Sequence, residues 1–314
     1  MEALRSLDER ALQGLAVVGG LVVVRAALYV LGSLYVTFLR PAKNLKKYGQ
    51  WAVITGATDG IGKAMTLELA KRGMNVLLIS RTQSKLDDTA AEMRKACPNV
   101  TVECLAIDYS AFDKAAEAKV GAAMAGKDVG ILLNGVGMSY PFPKYFDELT
   151  DEEMDSLIKL NVDSTVRMTR LALPGMVERK RGAIVNYGSA AALNPSALLA
   201  GYAGCKGFIL KMSETMNVEM APKGIHVQCQ VPLMVATKLA KVRKPSWDKP
   251  SPKAYAAAGV KAIGYEMTTS PYWSHRLQLF VMASLPSGFV NNAVFGIHKG
   301  LRARALKKLA AKKD

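Results

Sequence analysis

The sequence predicts an α/β fold in which helices cover both faces of a doubly wound parallel sheet, preceded by an N-terminal transmembrane helix. Three observations support this prediction. Residues 11–39 carry one charge in 29 positions, apolar runs of strand length alternate with helical patterns from Trp51 onwards, and those runs leave no polar face for water. Strands that are buried on both faces are typical of a parallel, Rossmann-type sheet.

Residues 11–39 are long enough to cross a membrane. As a helix they would extend about 43 Å, which exceeds the hydrocarbon core of ~30 Å. Arg25 near the middle costs ~3 kcal/mol on insertion scales, so a re-entrant hairpin is an alternative to a tilted span. A cleaved signal peptide is a further alternative, although the apolar run continues past any cleavage point. The basic cluster between residues 40 and 47 outweighs the opposite flank and places the following residues in the cytosol.

Six strands and five helices follow in regular alternation. The predicted strands are 51–55, 75–80, 100–107, 129–134, 182–188 and 225–230. The predicted helices are 61–72, 83–95, 111–125, 151–173 and 199–221. Since no internal repeat or long linker divides these elements, we expect one sheet whose ligand lies outside the carboxyl ends of the strands.

A second uncharged stretch, residues 277–297, lies near the C-terminus. Pro286, Gly288, Asn291 and Asn292 interrupt it, which argues against a simple second span. The pattern leaves three interpretations open: an interfacial helix pair, a hydrophobic lid over a substrate site, and plain core packing.

The formal net charge of +16 is concentrated in three basic patches. Residues 40–47 carry +4, residues 238–253 carry +5 and residues 299–314 carry +6, so about +1 remains for everything else. A nucleic-acid binder would combine a broad basic face with stacking aromatic side chains, and these patches have few. The charge therefore favours an anionic membrane surface over a nucleic acid as the partner.

Metal and disulfide chemistry find little support in the sequence. The four cysteines are too widely spaced for a disulfide framework, and none forms a Cys-x-x-Cys or Cys/His ligand pair. We therefore expect a reducing compartment and no zinc site. The three histidines, His226, His275 and His298, lie far apart among hydrophobic residues, so packing or surface roles are expected for them.

A glycine-rich turn, Thr-Gly-Ala-Thr-Asp-Gly-Ile-Gly at residues 55–62, connects the first strand to the first helix of the alternating fold. Glycines tighten such a turn and let the backbone approach a pyrophosphate at the positive end of a helix. The spacing Gly-x-x-x-Gly-x-Gly differs from the general dinucleotide fingerprint. Its position between strand and helix nevertheless predicts a dinucleotide site.

The second strand ends in Ser80-Arg81, where an NAD-preferring site usually has an acid for the ribose 2′-hydroxyl. Arg81 can instead pair with a 2′-phosphate, and Lys63 is near enough in sequence to assist. NADPH is therefore favoured over NADH. The alternative is that Arg81 is a solvated loop residue.

Tyr202 and Lys206 lie four residues apart at the start of the helix after the fifth strand, which places phenol and ammonium on one face. A neighbouring cation favours the phenolate, so Lys206 is expected to lower the pKa of Tyr202. Ser189, just past the fifth strand, is placed to hydrogen-bond a carbonyl oxygen beside Tyr202. A Tyr-x-x-x-Lys pair alone is common in solvated helices, but the upstream serine makes coincidence a poor explanation.

Five features together resemble the short-chain dehydrogenase/reductase family. They are the glycine turn, Asn134-Gly-Val-Gly137, Asn161 within Lys-Leu-Asn-Val, Ser189, and Tyr202-x-x-x-Lys206. The resemblance covers residues 50–235, and the order and spacing of all five features match. Gly135 stands where the family usually has a second Asn, a departure that can loosen that turn.

Further segments resemble the membrane-bound very-long-chain 3-oxoacyl-CoA reductases. They include Leu-Arg-Pro-Ala-Lys-Asn-Leu at 39–45, Gln-Cys-Gln-Val-Pro-Leu at 228–233 and Ser-Pro-Tyr-Trp at 270–273. This resemblance implies an NADPH-dependent enzyme of the endoplasmic reticulum membrane, with its catalytic domain in the cytosol, that reduces 3-oxoacyl-CoA to 3-hydroxyacyl-CoA in fatty-acid elongation. Many such reductases end in a dilysine retrieval signal, which Lys312 and Lys313 match imperfectly.

The resemblance also implies roles for individual residues. Hydride from NADPH would reach the C3 carbonyl while Tyr202 protonates its oxygen, Ser189 polarises that oxygen, Lys206 tunes Tyr202 and holds the nicotinamide ribose, and Asn161 anchors a water relay. The cofactor-binding residues would be Thr55, Gly56, Asp59, Gly60, Ile61 and Gly62 at the pyrophosphate, Arg81 at the 2′-phosphate, Asp108 at the adenine edge and Asn134 on the adenosine side, together with Tyr202 and Lys206.

The expected organisation is a membrane anchor with a basic flank (1–47), an NADPH-binding core (48–235), a substrate-loop region (236–276), and an apolar membrane-associated or lid segment with a basic tail (277–314). The basic segment 238–253 is hypothesised to grip the phosphates of CoA, and a solvated or lipid-facing loop is an equal alternative. Acyl-CoA and membrane lipid are the expected partners, with no nucleic acid; other elongation enzymes and a homodimer stay open. The rival functions are a 17-ketosteroid or other ketone reductase and a catalytically silent membrane scaffold.

Overall fold

The computed structural model describes residues 9–311, which form two compact units that divide between Pro41 and Ala42. The lysines of the imperfect retrieval signal, Lys312 and Lys313, lie outside the described residues. The first unit is helical, and the second contains every β-strand of the described chain.

Helix α1 (Glu9–Leu34) continues through a π-helical turn (Tyr35–Leu39). The apolar stretch Ala11–Leu39 is 29 residues long and has none of its candidate span buried. By length and composition it suffices to cross a membrane. The predicted N-terminal apolar helix is therefore confirmed as a helix.

The second unit is built on a seven-stranded sheet in which all neighbouring strands run parallel. The strands are β1 (Trp51–Thr55), β2 (Asn75–Ser80), β3 (Val102–Ala106), β4 (Val129–Asn134), β5 (Gly182–Tyr187), β6 (Ile225–Gln230) and β7 (Thr268–Thr269). Their order is β3-β2-β1-β4-β5-β6-β7. The order reverses between β1 and β4, which confirms the doubly wound sheet and puts a crevice at the carboxyl ends of these two strands.

Helices cover both faces of this sheet. The helices of this unit are α2 (Gly60–Lys71), α3 (Gln83–Ala96), α4 (Lys114–Met124), α5 (Asp151–Ile158), α6 (Ser164–Glu178), α7 (Ala200–Met220), α8 (Pro252–Ala262), α9 (Trp273–Ser284) and α10 (Ser287–Ala310). Successive strand residues enter opposite cores, since Val53 packs with Met168 of α6, and Ile54 packs with Met65 and Leu69 of α2. This burial on both faces explains why the central strands β1, β4 and their neighbour β2 are mostly apolar runs.

Four predicted strands, 51–55, 75–80, 129–134 and 225–230, have the predicted bounds. Strand β7 and helix α8 were not predicted. The reason is that β7 is only two threonines long, and the alanine-rich sequence of α8 has no strong apolar stripe. Both elements depend on contacts with distant segments rather than on local pattern.

A π-helical turn, Lys159–Asp163, separates α5 from α6 where the sequence predicted one helix over 151–173. The side-chain nitrogen Nδ2 of Asn161 donates to the Leu157 carbonyl at 2.9 Å and to the Met138 carbonyl at 3.0 Å. A side chain that bonds a carbonyl four residues back competes with the helical ladder. Such π-turns are frequent at functional sites, and this one buries Asn161 at the edge of the crevice.

The apolar stretch 277–297 forms parts of α9 and α10, which are joined through Leu285 and Pro286. Its large apolar side chains are mostly exposed. A helix pair is therefore the interpretation that the structure supports, and plain core packing is not.

The three histidines have packing roles. The ring Nδ1 of the fully buried His275 accepts from the Leu233 amide at 3.3 Å, and Nδ1 of the buried His298 lies 2.7 Å from the Ala197 carbonyl oxygen. Burial lowers the pKa of His226 and of His275 to about 4, so both rings are neutral at physiological pH.

Candidate active site

The glycine turn closes tightly over the carboxyl end of β1. Gly56 and Gly60 have φ values of +66° and +54°, which side chains rarely adopt. A Cβ on Gly62 would collide with the carbonyl oxygen of Gly56, so the turn and the first residues of α2 are in direct backbone contact. The Asp59 carboxylate caps α2 by accepting from the Gly60 amide at 2.7 Å, and the half-exposed Ile61 follows it. The positive end of α2 is thereby aimed at the crevice.

Thr55 connects this turn to the loop after β4. Its hydroxyl, which is buried, accepts from the amides of Gly135 at 3.0 Å and Val136 at 3.3 Å. A Cβ on Gly135 would lie only 2.5 Å from the Thr55 carbonyl oxygen. The departure at Gly135 therefore does not loosen the turn, because glycine fits a close backbone approach that the threonine hydroxyl holds in place.

The end of β2 carries the residues predicted to bind adenosine phosphate. The Thr58 hydroxyl bonds the Ser80 hydroxyl at 2.8 Å, which holds the glycine turn against this strand. The exposed Arg81 lies close enough to Asp108 to help lower the pKa of that carboxyl, although two hydrogen bonds from Ser110 lower it more. A cation and a carboxylate thus flank the open end of the crevice.

Lys63, which the sequence offered as an assistant to Arg81, points elsewhere. Its ammonium forms an ion pair with Glu92 of α3 at 2.8 Å. Arg81 is therefore the residue of the pair that is available to an incoming phosphate.

Asn134 turns its side chain away from the crevice. Its amide nitrogen donates to Asn186 at 2.8 Å and to Thr169 at 3.2 Å, and Asn186 in turn donates to Ser213 at 2.9 Å. All four side chains are buried. This polar network ties β4 and β5 to α6 and α7, and the contact of Asn134 with adenosine stays a prediction.

Ser189 and Tyr202 meet at the carboxyl end of β5. The Ser189 hydroxyl accepts from the Ala191 amide at 3.2 Å and makes a side-chain hydrogen bond with the Tyr202 phenol. Burial raises the pKa of Tyr202, and the hydrogen bond with Ser189 lowers it by less. The phenol is consequently protonated at neutral pH.

Lys206 lies beneath Tyr202, with its ammonium 5.8 Å from the centre of the phenol ring. The side chain is 6% exposed, and its Nζ donates to the Tyr187 carbonyl at 3.0 Å. Burial lowers the pKa of Lys206 to about 8. Since that value lies above neutral pH, the ammonium of Lys206 is charged beside the phenol, and its lowering of the Tyr202 pKa stays a prediction.

Gly137 leaves open a space that Asn161 and Lys206 share. A Cβ at this position would lie 2.8 Å from the Asn161 Oδ1 and 3.4 Å from the Lys206 Nζ. The Asn161 side chain is 1% exposed and also accepts from the Met138 amide at 3.3 Å. The structure therefore brings four predicted catalytic residues, Ser189, Tyr202, Lys206 and Asn161, to one side of the crevice.

Two features of the site were missed by sequence reasoning. The loop after β6 crosses the glycine turn, where the Lys238 ammonium bonds Asp59 at 3.1 Å and a Thr237 methyl lies 3.3 Å from a Cβ placed on Gly60. Tyr140 accepts from the Gly201 amide at 2.7 Å and packs within an apolar cluster that includes Tyr202. The order of the strands could have indicated both features, because the loops that follow neighbouring parallel strands lie at the same edge of the sheet.

These residues fit a nicotinamide dinucleotide. Positive-φ glycines and a helix N-terminus suit a pyrophosphate, and Arg81 suits a phosphate on the ribose. The ammonium of Lys206 has three protons to donate, and Tyr187 takes one of them, so ribose hydroxyls can accept from the others.

Comparison with known proteins gives a family match over most of the second unit. The family described as short chain dehydrogenase matches residues 50–247. A very-long-chain 3-oxoacyl-CoA reductase from Bos taurus is 43% identical over 263 residues, which cover 83% of each chain. One from Laccaria bicolor is 38% identical over 310 residues, which cover 94% of this chain and 91% of its own. A solved short-chain dehydrogenase from Sphingobium yanoikuyae in complex with NADPH has a TM-score of 0.63 and 28% identity, covering 75% of this chain and 96% of its own.

The depressed pKa of Lys206 predicts a specific dependence of stability on pH. Below about 8 the lysine is charged in both the folded and the unfolded chain, and the burial penalty is fully present. Between about 8 and the ordinary value of 10.5, the unfolded chain binds more protons than the folded chain, so stability rises with pH by up to about 1.4 kcal/mol per unit. In detergent, the melting temperature of the wild-type protein without NADPH should rise relative to that of Lys206→Met as the pH increases across this range. The exposed Lys211→Met on the same helix is the control, and a parallel pH dependence of all three proteins would contradict the assignment.

Proposed function

Because the chain belongs to the short-chain dehydrogenase family and is an oxidoreductase, we propose that it reduces very-long-chain 3-oxoacyl-CoA to 3-hydroxyacyl-CoA with NADPH. The observation that carries the proposal is the convergence of Ser189, Tyr202, Lys206 and Asn161 beside the nucleotide crevice. The names of relatives that match four fifths or more of this chain favour the acyl-CoA over a 17-ketosteroid. A silent scaffold would have no use for this arrangement.

The chain's own residues perform the acid and positioning steps. A bound reduced nicotinamide supplies the hydride to the C3 carbonyl. Ser189 donates to the carbonyl oxygen and polarises it, and Tyr202, which is protonated, transfers its proton to the same oxygen as negative charge develops there. Lys206 holds the nicotinamide ribose and stabilises the resulting phenolate, and Asn161 anchors the water relay that returns a proton.

NADPH is the proposed cofactor because a cation stands at the end of β2 where an NAD site has an acid. Arg81 is exposed and faces the open end of the crevice beside Asp108, so it can form charge-assisted hydrogen bonds with a 2′-phosphate. Gly56, Gly60 and Gly62 with the start of α2 bind the pyrophosphate.

The substrate is proposed to bind between two further elements. The basic segment 238–253 begins beside the glycine turn, where Lys238 meets Asp59, and its exposed cations suit the phosphates of CoA. An apolar surface cavity between α5 and α7, whose lining includes Met154, Ile158 and Phe208, suits the acyl chain. The keto group would then lie at Ser189.

We propose that α1 anchors the enzyme in the endoplasmic reticulum membrane with the second unit in the cytosol. The support is the apolar stretch Ala11–Leu39 followed by the basic cluster at 40–47. Membrane lipid is therefore a partner, and other elongation enzymes or a second copy of the chain are further partners to examine.

Replacing the general acid tests the reaction. Tyr202→Phe should lower NADPH consumption with long-chain 3-oxoacyl-CoA by ~10²- to 10⁴-fold, since the proton donor is removed while the ring packing is kept. NADPH should still bind, as measured by the cofactor's fluorescence, because the other cofactor-binding residues are kept, and membrane association should be unchanged. Turnover of a 17-ketosteroid by the wild type at a higher kcat/KM than that of the acyl-CoA would contradict the proposed substrate, and full activity of Tyr202→Phe would contradict the mechanism.

Reversing the charge at the end of β2 tests the cofactor. Arg81→Asp should lower kcat/KM for NADPH roughly ten- to a hundred-fold and leave NADH less affected, because a charge-assisted bond to the 2′-phosphate is lost. Lys85→Asp, on an exposed position of α3, controls for general charge. An equal change for both cofactors would refute the role of Arg81.

Reversing charges in the basic segment tests CoA recognition. The triple variant Lys241→Glu, Arg243→Glu and Lys244→Glu should raise the KM for the acyl-CoA roughly ten-fold. The kcat should change little, because these cations are proposed to bind the CoA end of the substrate and not its keto group. The matched control reverses three exposed lysines on other elements, Lys95, Lys119 and Lys223. An unchanged KM in the first variant would contradict the binding of CoA by the basic segment.

A further inference from the structure

Helix α9 has its polar side chains turned toward the protein and its apolar side chains turned outward. Ser274 and His275 are fully buried, and Gln278 donates to the Asp248 carbonyl at 3.3 Å. The opposite face carries a stripe at helical spacing whose members are 38–48% exposed: Trp273, Leu277, Phe280, Val281 and Leu285. A helix that faces water has the reverse arrangement.

Helix α10 repeats this arrangement in its first half. The inward-facing His298 bonds the Ala197 carbonyl, and the Arg302 guanidinium donates to both carboxylate oxygens of Glu148. Outward, Phe289 is 63% exposed and Ile297 is 56% exposed. Polar contacts and the buried Val290 therefore fix α10 to the body, while Phe289 and Ile297 remain outside.

Basic residues continue the outward stripe of α10 toward its C-terminus. Residues 273–311 contain six lysines and arginines and no acidic residue. Arg304, Lys307 and Lys308 follow Ile297 at helical spacing and are exposed. An apolar stripe that passes into a cationic one matches the change from acyl chains to anionic headgroups in a bilayer.

Tryptophan marks the other end of the surface. Trp247, which is 63% exposed, stacks on Trp273 with ring centres 6.2 Å apart and an interplanar angle of 30°. Tryptophan is enriched at the boundary between hydrocarbon and water, because its ring is apolar and its N–H is polar. A protein partner would account for the apolar stripes but not for the one-signed charge.

From these contacts we propose that α9 and α10, with Trp247, form a membrane-docking surface that inserts its apolar stripes into the interface of an anionic bilayer. The surface is separate in sequence from the N-terminal apolar helix, and the proposal does not depend on the reaction that the enzyme catalyses.

A fluorophore on single introduced thiols tests the surface in the full-length protein. Leu277→Cys, Val281→Cys and Ile297→Cys are labelled and reconstituted in vesicles of phosphatidylcholine and phosphatidylserine; the native cysteines are buried or half-buried and unpaired, which favours labelling of the introduced thiol. Brominated phosphatidylcholine should then cause a roughly two-fold loss of fluorescence at all three positions, as expected for shallow insertion. Lys119→Cys on the exposed face of α4 is the control and should keep its fluorescence. NADPH binding verifies that each labelled variant is folded.

If water or another protein covers this surface instead of lipid, the quenching pattern will differ. Quenching by aqueous iodide instead of brominated lipid would mean that the helices face water, and protection from both quenchers would mean that protein covers them; either result overturns the proposal. Replacing Arg304, Lys307 and Lys308 with Gln should reduce lipid quenching at Ile297. Unchanged quenching there would overturn the contribution of the basic stripe.

Discussion

The hydrogen bonds from the Gly135 and Val136 amides to the Thr55 hydroxyl fix the point on which the site depends. At this point the winding of the sheet reverses, and β1 and β4 diverge into loops that line opposite sides of the crevice. Because the hydroxyl accepts from both amides, these two backbone N–H groups have a partner inside the protein. The glycine turn on one side and Gly137 on the other then come within reach of a single dinucleotide.

Much of the fold follows from the sequence because burial dictates composition. A strand covered on both faces is mostly apolar, so the bounds of β1, β2 and β4 could be predicted, and those of β6 follow from alternating apolar residues. The π-turn at Asn161 could not, since one of the two carbonyls that hold this side chain belongs to Met138, which is far away in sequence. Strand β7 is too short to carry a pattern, and its threonines pair with β6 only because the sheet is already formed.

In the site, the types of the functional residues could be predicted from the sequence, whereas the directions of their side chains could not. The residue types at Ser189, Tyr202 and Lys206 are enough to indicate the chemistry, and the fold places these side chains together. The direction of a side chain was not predictable: Asn134, at the end of β4, turns its amide toward Asn186. The electrostatics do not follow from the proximity of a cation either, because the same burial raises the pKa of Tyr202 and lowers that of Lys206.

The outward apolar stripes and the basic segment acquire a common physical reason when the substrate is considered. Each methylene moved from an apolar environment into water costs about 0.8 kcal/mol, so a very long acyl chain is released into water at a prohibitive cost. Its CoA end carries several negative charges and cannot enter hydrocarbon. An enzyme that acts on such a molecule has to work where hydrocarbon meets water. A near-neutral catalytic body whose surplus charge lies in three patches, beside apolar helices turned outward, meets both demands at once.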